Sequence, residues 1–386
     1  MKVLLLCWRD SRHPEGGGSE VYLEHVAEYL VGRGHEVTFR TARYPGSAAR
    51  ERRNGVTYLR GGGSFTVYPR AWWYMLRARL PWGTNHSDRP DRPDIVVDTQ
   101  NGVPFLARAL VGKDVPTVLL THHCHREQWP VAGPVLSRVG WFIESRLSPW
   151  LHRRSPYVTV SEPSAEELVE LGVDRARIRV IRNGVDVPPD LGDLDRSAQG
   201  RAPDEPIHLV TLSRLVPHKQ LEHALDALAA VLPAHPDTVL DVIGDGWWSE
   251  KLRRHADDLG VSGLVVFHGH VSEEAKHRIL ARAALHILPS RKEGWGLAVI
   301  EAGLHGVPTL GYSTSAGLRD SVVADGPRAT GVLVDSEGGL INTLGHLLDD
   351  PALLAELGEN ARLRAGTFSW GRTGARWEEL LGELVS

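Results

Sequence analysis

The sequence predicts two α/β halves, each a doubly wound, Rossmann-like parallel sheet, facing one another across a cleft. Three observations carry this expectation. The chain has 386 residues, more than one hydrophobic core ordinarily organises. Short apolar runs alternate with stretches of helical periodicity from end to end, which is the pattern of parallel strands covered on both faces by helices. The alternation breaks once, over residues 187–206, where Pro, Gly and Asp gather without periodicity and a linker is expected. The expected domains are therefore 1–186 and 207–369, with ligand binding in the cleft at the carboxyl ends of their strands.

In the first half, Lys2-Val-Leu-Leu-Leu-Cys-Trp8 reads as a buried strand. It is too short, and too soon followed by charge, for a secretory signal. A glycine-bearing loop, 9–18, leads to a helix from Ser19 with Tyr22, Leu23, Val26, Tyr29 and Leu30 at helical spacing, stopped at Gly32 and Gly34. Strands are expected at 36–41, 56–59, 94–98, 116–121, 157–161 and 177–181. Residues 65–82 mix aromatics with Arg, as do residues 134–154 with Trp141, Phe142 and Trp150. A packed surface helix, a membrane-interface segment and the wall of a pocket for an apolar acceptor are all open readings of these two stretches. In the second half, strands are expected at 207–213, 238–243, 264–267, 285–289, 309–312 and 331–334. Helices are expected between them, and a last one from about Trp370.

Composition bounds the function. Hydrophobic residues make up 42% of the chain and charged residues 24%, as in a soluble globular protein. No apolar run approaches the roughly 18 residues of a membrane-spanning helix. Cys7 and Cys124 are the only cysteines, which suits a reducing, cytoplasmic setting without a disulfide framework. Net charge is −4, but Lys and Arg are in excess over the first half and Asp and Glu over the second. A basic half favours an anionic partner such as a phosphate, a lipid head group or a membrane surface, and equally fits scattered solvated charge. No nucleic-acid partner is expected. Arg far outnumbers Lys, which hints at a GC-rich, bacterial source.

The chemistry concentrates in Ser290-Arg-Lys-Glu-Gly-Trp-Gly-Leu-Ala-Val-Ile-Glu301, after the strand Leu285-His-Ile-Leu-Pro289. A turn through Gly294 and Gly296 opens a helix near Leu297, whose free amide groups favour an anion such as phosphate. Glu293 and Glu301 bracket the turn, and carboxylates there suit the hydroxyls of a sugar or ribose. Ser213-Arg-Leu-Val-Pro-His-Lys219 follows the first strand of the second half and offers Arg214 and Lys219 to a diphosphate. Gly16-Gly17-Gly18 lets a ligand approach the backbone. It lacks the G-x-G-x-x-G spacing and the acidic end of the second strand that a dinucleotide site requires. His122-His123-Cys124-His125 ends the strand at 116–121, with no zinc spacing, so one His to a sugar hydroxyl is the better reading and no metal is expected. Gly244-Asp-Gly246 and His268-Gly-His-Val271 are glycine-containing strand-end loops. They are open to a nucleotide or are plain turns.

Glu293 and Glu301 form an E-x7-E pair inside Pro-Ser-x-x-Glu-Gly-Trp-Gly-Leu-x-x-x-Glu-Ala. Together with Arg214 and Lys219, the glycine loop, Val160-Ser161, Asn183-Gly-Val-Asp186, Gly244-Asp-Gly246 and Phe368-Ser-Trp370, the chain resembles retaining glycosyltransferase family 4 (glycosyl transferases group 1), with the GT-B fold, nearly end to end. The resemblance implies a site residue by residue. Arg214 and Lys219 would hold the donor diphosphate, Glu301 the ribose hydroxyls and Glu293 the donor sugar. Backbone amides of Gly296, Leu297 and Ala298 would meet sugar or phosphate, Gly294 and Trp295 would belong to the same donor-binding turn, and Gly17 and Gly18 would close over the β-phosphate. His122 would contact the transferred sugar, His270 and Val271 would lie against the base, and Gly244 would lie near the nucleotide. The helix 370–386 would pack back on the N-terminal domain. Arg182 stands where the family often has Pro.

The resemblance implies an enzyme that moves a hexose-type sugar, with retention, from a UDP- or GDP-sugar to an acceptor hydroxyl. The acceptor would be a sugar, a lipid-linked glycan or a natural product. No second nucleophilic carboxylate stands in the motif, which favours a front-face route in which the leaving diphosphate takes the acceptor proton. No cofactor or metal is implied. The enzyme would act as a monomer or homodimer in the cytoplasm, with peripheral membrane contact through the N-terminal domain allowed. A nucleotide-sugar 2-epimerase on the same fold and a non-catalytic sugar-binding protein are the two rivals.

Overall fold

The computed structural model describes residues 1–79, 92–126, 129, 133–187 and 205–385. The expected linker core, 188–204, and the end of the aromatic stretch 65–82 lie outside the described residues. The chain forms two compact units: unit 1 is Met1–Gly184 with Ser369–Ser386, and unit 2 is Val185–Phe368. Among the described residues no helix is long and apolar enough to cross a membrane.

Unit 1 is built on β1 (Lys2–Leu6), β2 (Glu36–Thr41), β3 (Arg50–Arg53), β4 (Val56–Arg60), β5 (Ile95–Thr99), β6 (Thr117–Leu120), β7 (Tyr157–Thr159) and β8 (Ile178–Val180). Their order in the sheet is β3-β4-β2-β1-β5-β6-β7-β8. All pairings are parallel except β3 with β4. The helices α1 (Gly18–Gly32), α2 (Val67–Arg79), α3 (Pro134–Phe142) and α4 (Glu162–Glu170) lie in this unit. One core joins Leu4, Leu6 and Val96 of the strands to Val67, Ala71 and Met75 of α2. A second joins Leu119, Tyr157 and Ile178 to Ala165 and Leu168 of α4.

The sheet is not covered on both faces along its whole width, as sequence alone leads one to expect. β3, with the sequence Arg-Glu-Arg-Arg, has no apolar residue, and its antiparallel pairing with β4 makes an edge. The faces of β2, β3 and β4 that carry Thr38, Arg40, Thr57 and Arg52 line an open groove. Polar Thr and Arg give a helix no apolar surface to bury there.

Unit 2 holds β9 (Ile207–Leu212), β10 (Thr238–Ile243), β11 (Val265–Gly269), β12 (Ala283–Leu288), β13 (Thr309–Tyr312) and β14 (Gly331–Val334), in the order β11-β10-β9-β12-β13-β14. All of its pairings are parallel. Between them run α5 (Glu222–Val231), α6 (Ser249–Asp258), α7 (Glu273–Arg282), α8 (Leu297–Leu304), α9 (Ala316–Ser321), α10 (Glu337–Asp349) and α11 (Pro351–Ala365). Leu209, Leu240, Leu285 and Leu310 meet Leu225, Leu228, Leu340 and Leu344 in its core. Strand order reverses between β9 and β12, and loops at such a switch point splay apart to leave a crevice.

The last helix, α12 (Trp370–Val385), belongs to unit 1. Trp377 is fully buried and donates its Nε1–H to the Tyr22 hydroxyl at 2.6 Å. Tyr22 in turn donates to the Ile181 carbonyl at 2.9 Å. Gly374 lets the helix approach Tyr29, since a Cβ there would stand 2.1 Å from the ring. Tyr22→Phe removes both bonds and strands a buried indole N–H, so it should lower unfolding free energy by about 1–3 kcal/mol. Chemical denaturation of the full chain measures this.

Candidate functional site

In unit 2 the switch point brings two loops together, because β9 and β12 are adjacent and parallel. The loop after β9 carries Arg214, exposed to solvent, and ends in a single 3-10 turn, Pro217–Lys219. The loop after β12 carries Glu293. Lys219 Nζ donates to Glu293 Oε1 at 2.5 Å, and both side chains are largely buried, 12% and 11% exposed. The amide of Arg291 donates to the His218 carbonyl at 2.9 Å, tying the two loops by backbone as well. Burial, then the charges of Lys219, Arg214 and Arg291, pushes the His218 imidazole below its ordinary pKa, while Glu293 opposes them. The local field is therefore cationic, with one carboxylate in it.

Close backbone approach explains the glycines. A Cβ at Gly244 would lie 1.9 Å from the Ser213 carbonyl, and one at Gly246 would lie 2.2 Å from the Leu215 carbonyl. Leu215 also donates its amide to Asp245. Gly244 thus holds the Arg214 loop in place, as part of the loop's foundation. Gly296, at φ +83°, is the N-cap of α8 and provides no side-chain cap. The amide groups of Leu297 and Ala298 in the first turn of α8 remain available to an anion. Gly317 of α9 was not legible in the sequence as a site residue, yet a Cβ there would strike the Glu293 carbonyl at 2.4 Å. Trp295 is 4% exposed and packs edge-on against Phe368 at 5.0 Å, so its ring is a strut beneath the loop.

Glu301, in the second turn of α8, accepts a 2.6 Å bond from Lys276 Nζ, which also reaches Glu273 at 2.6 Å. Burial raises the Glu301 pKa, and Lys276 opposes that rise. Burial alone would lower the Lys276 pKa, but Glu301 and then Glu273 outweigh it and the value is raised. The sequence reading missed Lys276. Its only signal is the Ser272 cap, which starts α7 and puts Glu273 and Lys276 one turn apart. Nearby, His270 is exposed, and Val271 packs on a core of Val210, Ile243 and Leu280. Among the described residues no group of three or more His, Cys, Asp or Glu side chains is arranged to hold a metal ion.

Unit 1 carries the remaining expected residues. Gly16 is the crowded glycine of the triplet, with a Cβ position 2.8 Å from the Asp10 carbonyl. Gly18 faces open space. The Gly17 amide is already bonded to the Glu20 carboxylate at 2.9 Å, so a phosphate at Gly17 must displace Glu20.

His122 follows β6 and is 8% exposed, edge-on to Tyr22 at 5.2 Å, with Nε2 unpartnered. Its carbonyl accepts from Ser164 Oγ at 2.9 Å, and Ser161 caps the same helix, α4. Burial, then the charge of His125, pushes the His122 pKa down to about 4. His125 is held by Glu144, a fully buried carboxylate in a π-helical segment, Ile143–Leu147. Glu144 accepts from the His125 amide at 2.9 Å and from Trp129 Nε1 at 2.6 Å, and lies 3.2 Å from His125 Nδ1. Gly102 and Gly140 leave the space that the Trp129 ring fills. Sequence reading missed Glu144 because one Glu in a helical stretch looks like surface charge. A π-turn is a frequent mark of function, but it has no sequence signature.

Two kinds of measurement test this arrangement in unit 1. The His122 ring should keep the NMR shifts of a neutral imidazole from pH 8 to pH 5, and a midpoint near 6.5 would place it in solvent. Between its ordinary 6.5 and about 4 the unfolded chain takes up a proton that the folded ring refuses. His122 therefore costs stability as pH falls through that window, and His122→Gln should flatten the fall. Glu144→Gln leaves one of three donors unsatisfied, and a loss of about 1–3 kcal/mol in unfolding free energy is expected.

Comparison with known proteins bears on the family and the fold. Residues 194–364 match the family described as Glycosyl transferases group 1, and residues 16–188 match Glycosyltransferase Family 4. A glycogen synthase of Mycobacterium tuberculosis is 29% identical over 96% of this chain and 92% of its own length. A GDP-mannose-dependent alpha-(1-6)-phosphatidylinositol monomannoside mannosyltransferase of Mycolicibacterium smegmatis is 32% identical over 68% of this chain and 69% of its own. Among solved structures, sucrose-phosphate synthase from Thermosynechococcus elongatus superposes with a TM-score of 0.76 at 20% identity, covering 99% of this chain and 98% of that one. Anabaena HepE in complex with UDP and glucose gives 0.70 at 19% identity, covering 99% of both. These two structures share the GT-B architecture of paired α/β domains. The chain belongs to glycosyltransferase family 4 and is a glycosyltransferase of the nucleotide-sugar-dependent, GT-B type.

Proposed function

We propose that the enzyme transfers a hexose from UDP- or GDP-hexose to an acceptor hydroxyl with retention of configuration, without a metal. The observation that carries this reading is the Lys219–Glu293 pair at the switch point of unit 2, beside the exposed Arg214 and the uncapped N-terminus of α8.

In this reading Arg214 and Lys219 hold the donor diphosphate, and the amides of Leu297 and Ala298 meet sugar or phosphate. The charge that develops on the leaving oxygen is met by fixed cations, which are worth most when already in place and poorly solvated. Glu293 accepts from a sugar hydroxyl. Its charge is matched by Lys219, which makes it a poor nucleophile and supports the front-face route. Glu301 accepts from the ribose hydroxyls through the oxygen that Lys276 leaves, and His270 with Val271 borders the base. Unit 1 supplies Gly17, Gly18 and a neutral His122 that hydrogen-bonds the sugar without adding charge. It also binds the acceptor. On α3, Val135, Leu136, Val139 and Phe142 are 72%, 55%, 50% and 59% exposed, which supports an acceptor with an apolar chain or a peripheral contact with a bilayer. The relatives' names span a polysaccharide synthase and a glycolipid mannosyltransferase, so both acceptor classes belong in the trial.

The test is incubation with a panel of UDP- and GDP-hexoses, with and without sugar and glycolipid acceptors. Nucleotide release that depends on acceptor, with an α-linked product from an α-donor, is expected. An altered sugar without acceptor, or an inverted product, overturns the reading. Lys219→Ala should lower turnover by about 10²–10³ while donor affinity changes less, and near wild-type turnover would remove the pair from the mechanism. Dialysis against EDTA should leave turnover unchanged.

A further inference from the structure

Unit 1 holds a second site-like feature, unrelated to the loops that carry Gly17 and His122. The uncovered face of β2, β4 and β3 and one side of α2 enclose an open groove of about 1090 Å³, the size of a small-molecule pocket. Its walls are cationic. Arg50 and Arg52 come from the edge strand and Arg70 and Arg77 from α2, and all four are exposed to solvent. Among the described lining residues Glu36 is the only carboxylate.

The decisive residue is Arg40, on β2. It lines the groove and is 7% exposed. Nη1 donates to the Leu59 carbonyl at 2.7 Å, and Nε is buried with no hydrogen-bond partner. The guanidinium lies over Gly61, where a Cβ would be 2.8 Å from Nη2. Among the described residues no carboxylate pairs with Arg40. Burial, with Arg70 adding to it, lowers its pKa even though Tyr74 opposes. Buried guanidinium groups are ordinarily compensated, and in the same sheet Arg60 shows the ordinary arrangement, bonded to Asp10 and Glu51 at 2.5 and 2.7 Å. A buried guanidinium with one carbonyl acceptor and an unpartnered Nε, in a groove lined by four more arginines, is a preorganised anion receptor.

We propose that this groove binds a compact, multiply charged phosphate-type anion, either free or as the head group of a lipid. The guanidinium forks match phosphate oxygens, and Trp73, 61% exposed at the rim, offers a face to an attached sugar or chain. The described part of the aromatic and arginine-rich stretch, α2, thus supplies a wall of a charged groove through Arg70, Trp73, Tyr74 and Arg77.

The test uses the full chain with UDP and GDP present in excess, so that the donor site is occupied. Tripolyphosphate should bind by calorimetry and raise Tm, with affinity falling steeply as salt rises. Arg70→Ala with Arg77→Ala, both at exposed positions, should weaken binding by about tenfold or more, the scale of one lost charge-assisted contact. Arg40→Gln should do the same. Phosphatidylcholine vesicles with and without cardiolipin separate the sources: cosedimentation that needs cardiolipin and is lost in the double variant assigns the groove to a lipid head group. Tripolyphosphate binding without such cosedimentation assigns it to a free anion. Absence of both, or binding that the substitutions leave unchanged, overturns the proposal.

Discussion

An ammonium and a carboxylate, Lys219 and Glu293, meet where strand order reverses in unit 2, and the rest of that unit is arranged to let them meet. They are 74 positions apart in sequence. Only a parallel sheet with β9 beside β12 brings their loops to the same edge. A pair so little exposed is expensive to form, and it is held by backbone: Gly244 and Gly246 allow one strand-end loop to lie on another, and Gly317 lets α9 press against Glu293. The pair is a compromise between two demands. Each charge satisfies the other at rest, and in the proposed reaction each takes up another partner when a donor arrives.

The same division runs through the second acidic residue. Glu301 rests on Lys276, which rests on Glu273. For the proposed task of accepting hydroxyls, Glu301 needs an oxygen free and a geometry fixed, and Lys276 on the other oxygen meets both needs. In unit 1 the corresponding device is uncharged. His122 is oriented by Tyr22 and Ser164, and burial keeps its ring neutral.

Most of this architecture was legible in the sequence. The runs at 309–312 and 331–334 became β13 and β14, and Trp370 does open the last helix, because apolar periodicity is a local signal. Arg214 and Lys219 could be singled out because they follow the first strand of unit 2, and Glu293 and Glu301 because they bracket a glycine turn. What was not legible depends on three-dimensional neighbours. β3 consists of charged residues and exists because β4 offers it an edge. Glu144 and Lys276 look like solvated charge until the loops they hold are seen. The open face of the first sheet could not be foreseen either, since strands in a parallel sheet are read as buried on both sides.

The path of the chain's end has a consequence for biosynthesis. Unit 2 is one continuous stretch, Val185–Phe368, whereas unit 1 is closed by Ser369–Ser386. Domains usually fold in the order in which the ribosome delivers them. Here the first strands to emerge must wait for the last helix, because Trp377 is what completes the packing around Tyr22. All of unit 2 is made before the buried side chains Trp377, Leu380 and Leu381 that unit 1 needs. A chain stopped between Phe368 and Trp377 therefore carries all of the second unit and an unsealed first one, and the Tyr22 ring that faces His122 lacks its indole partner.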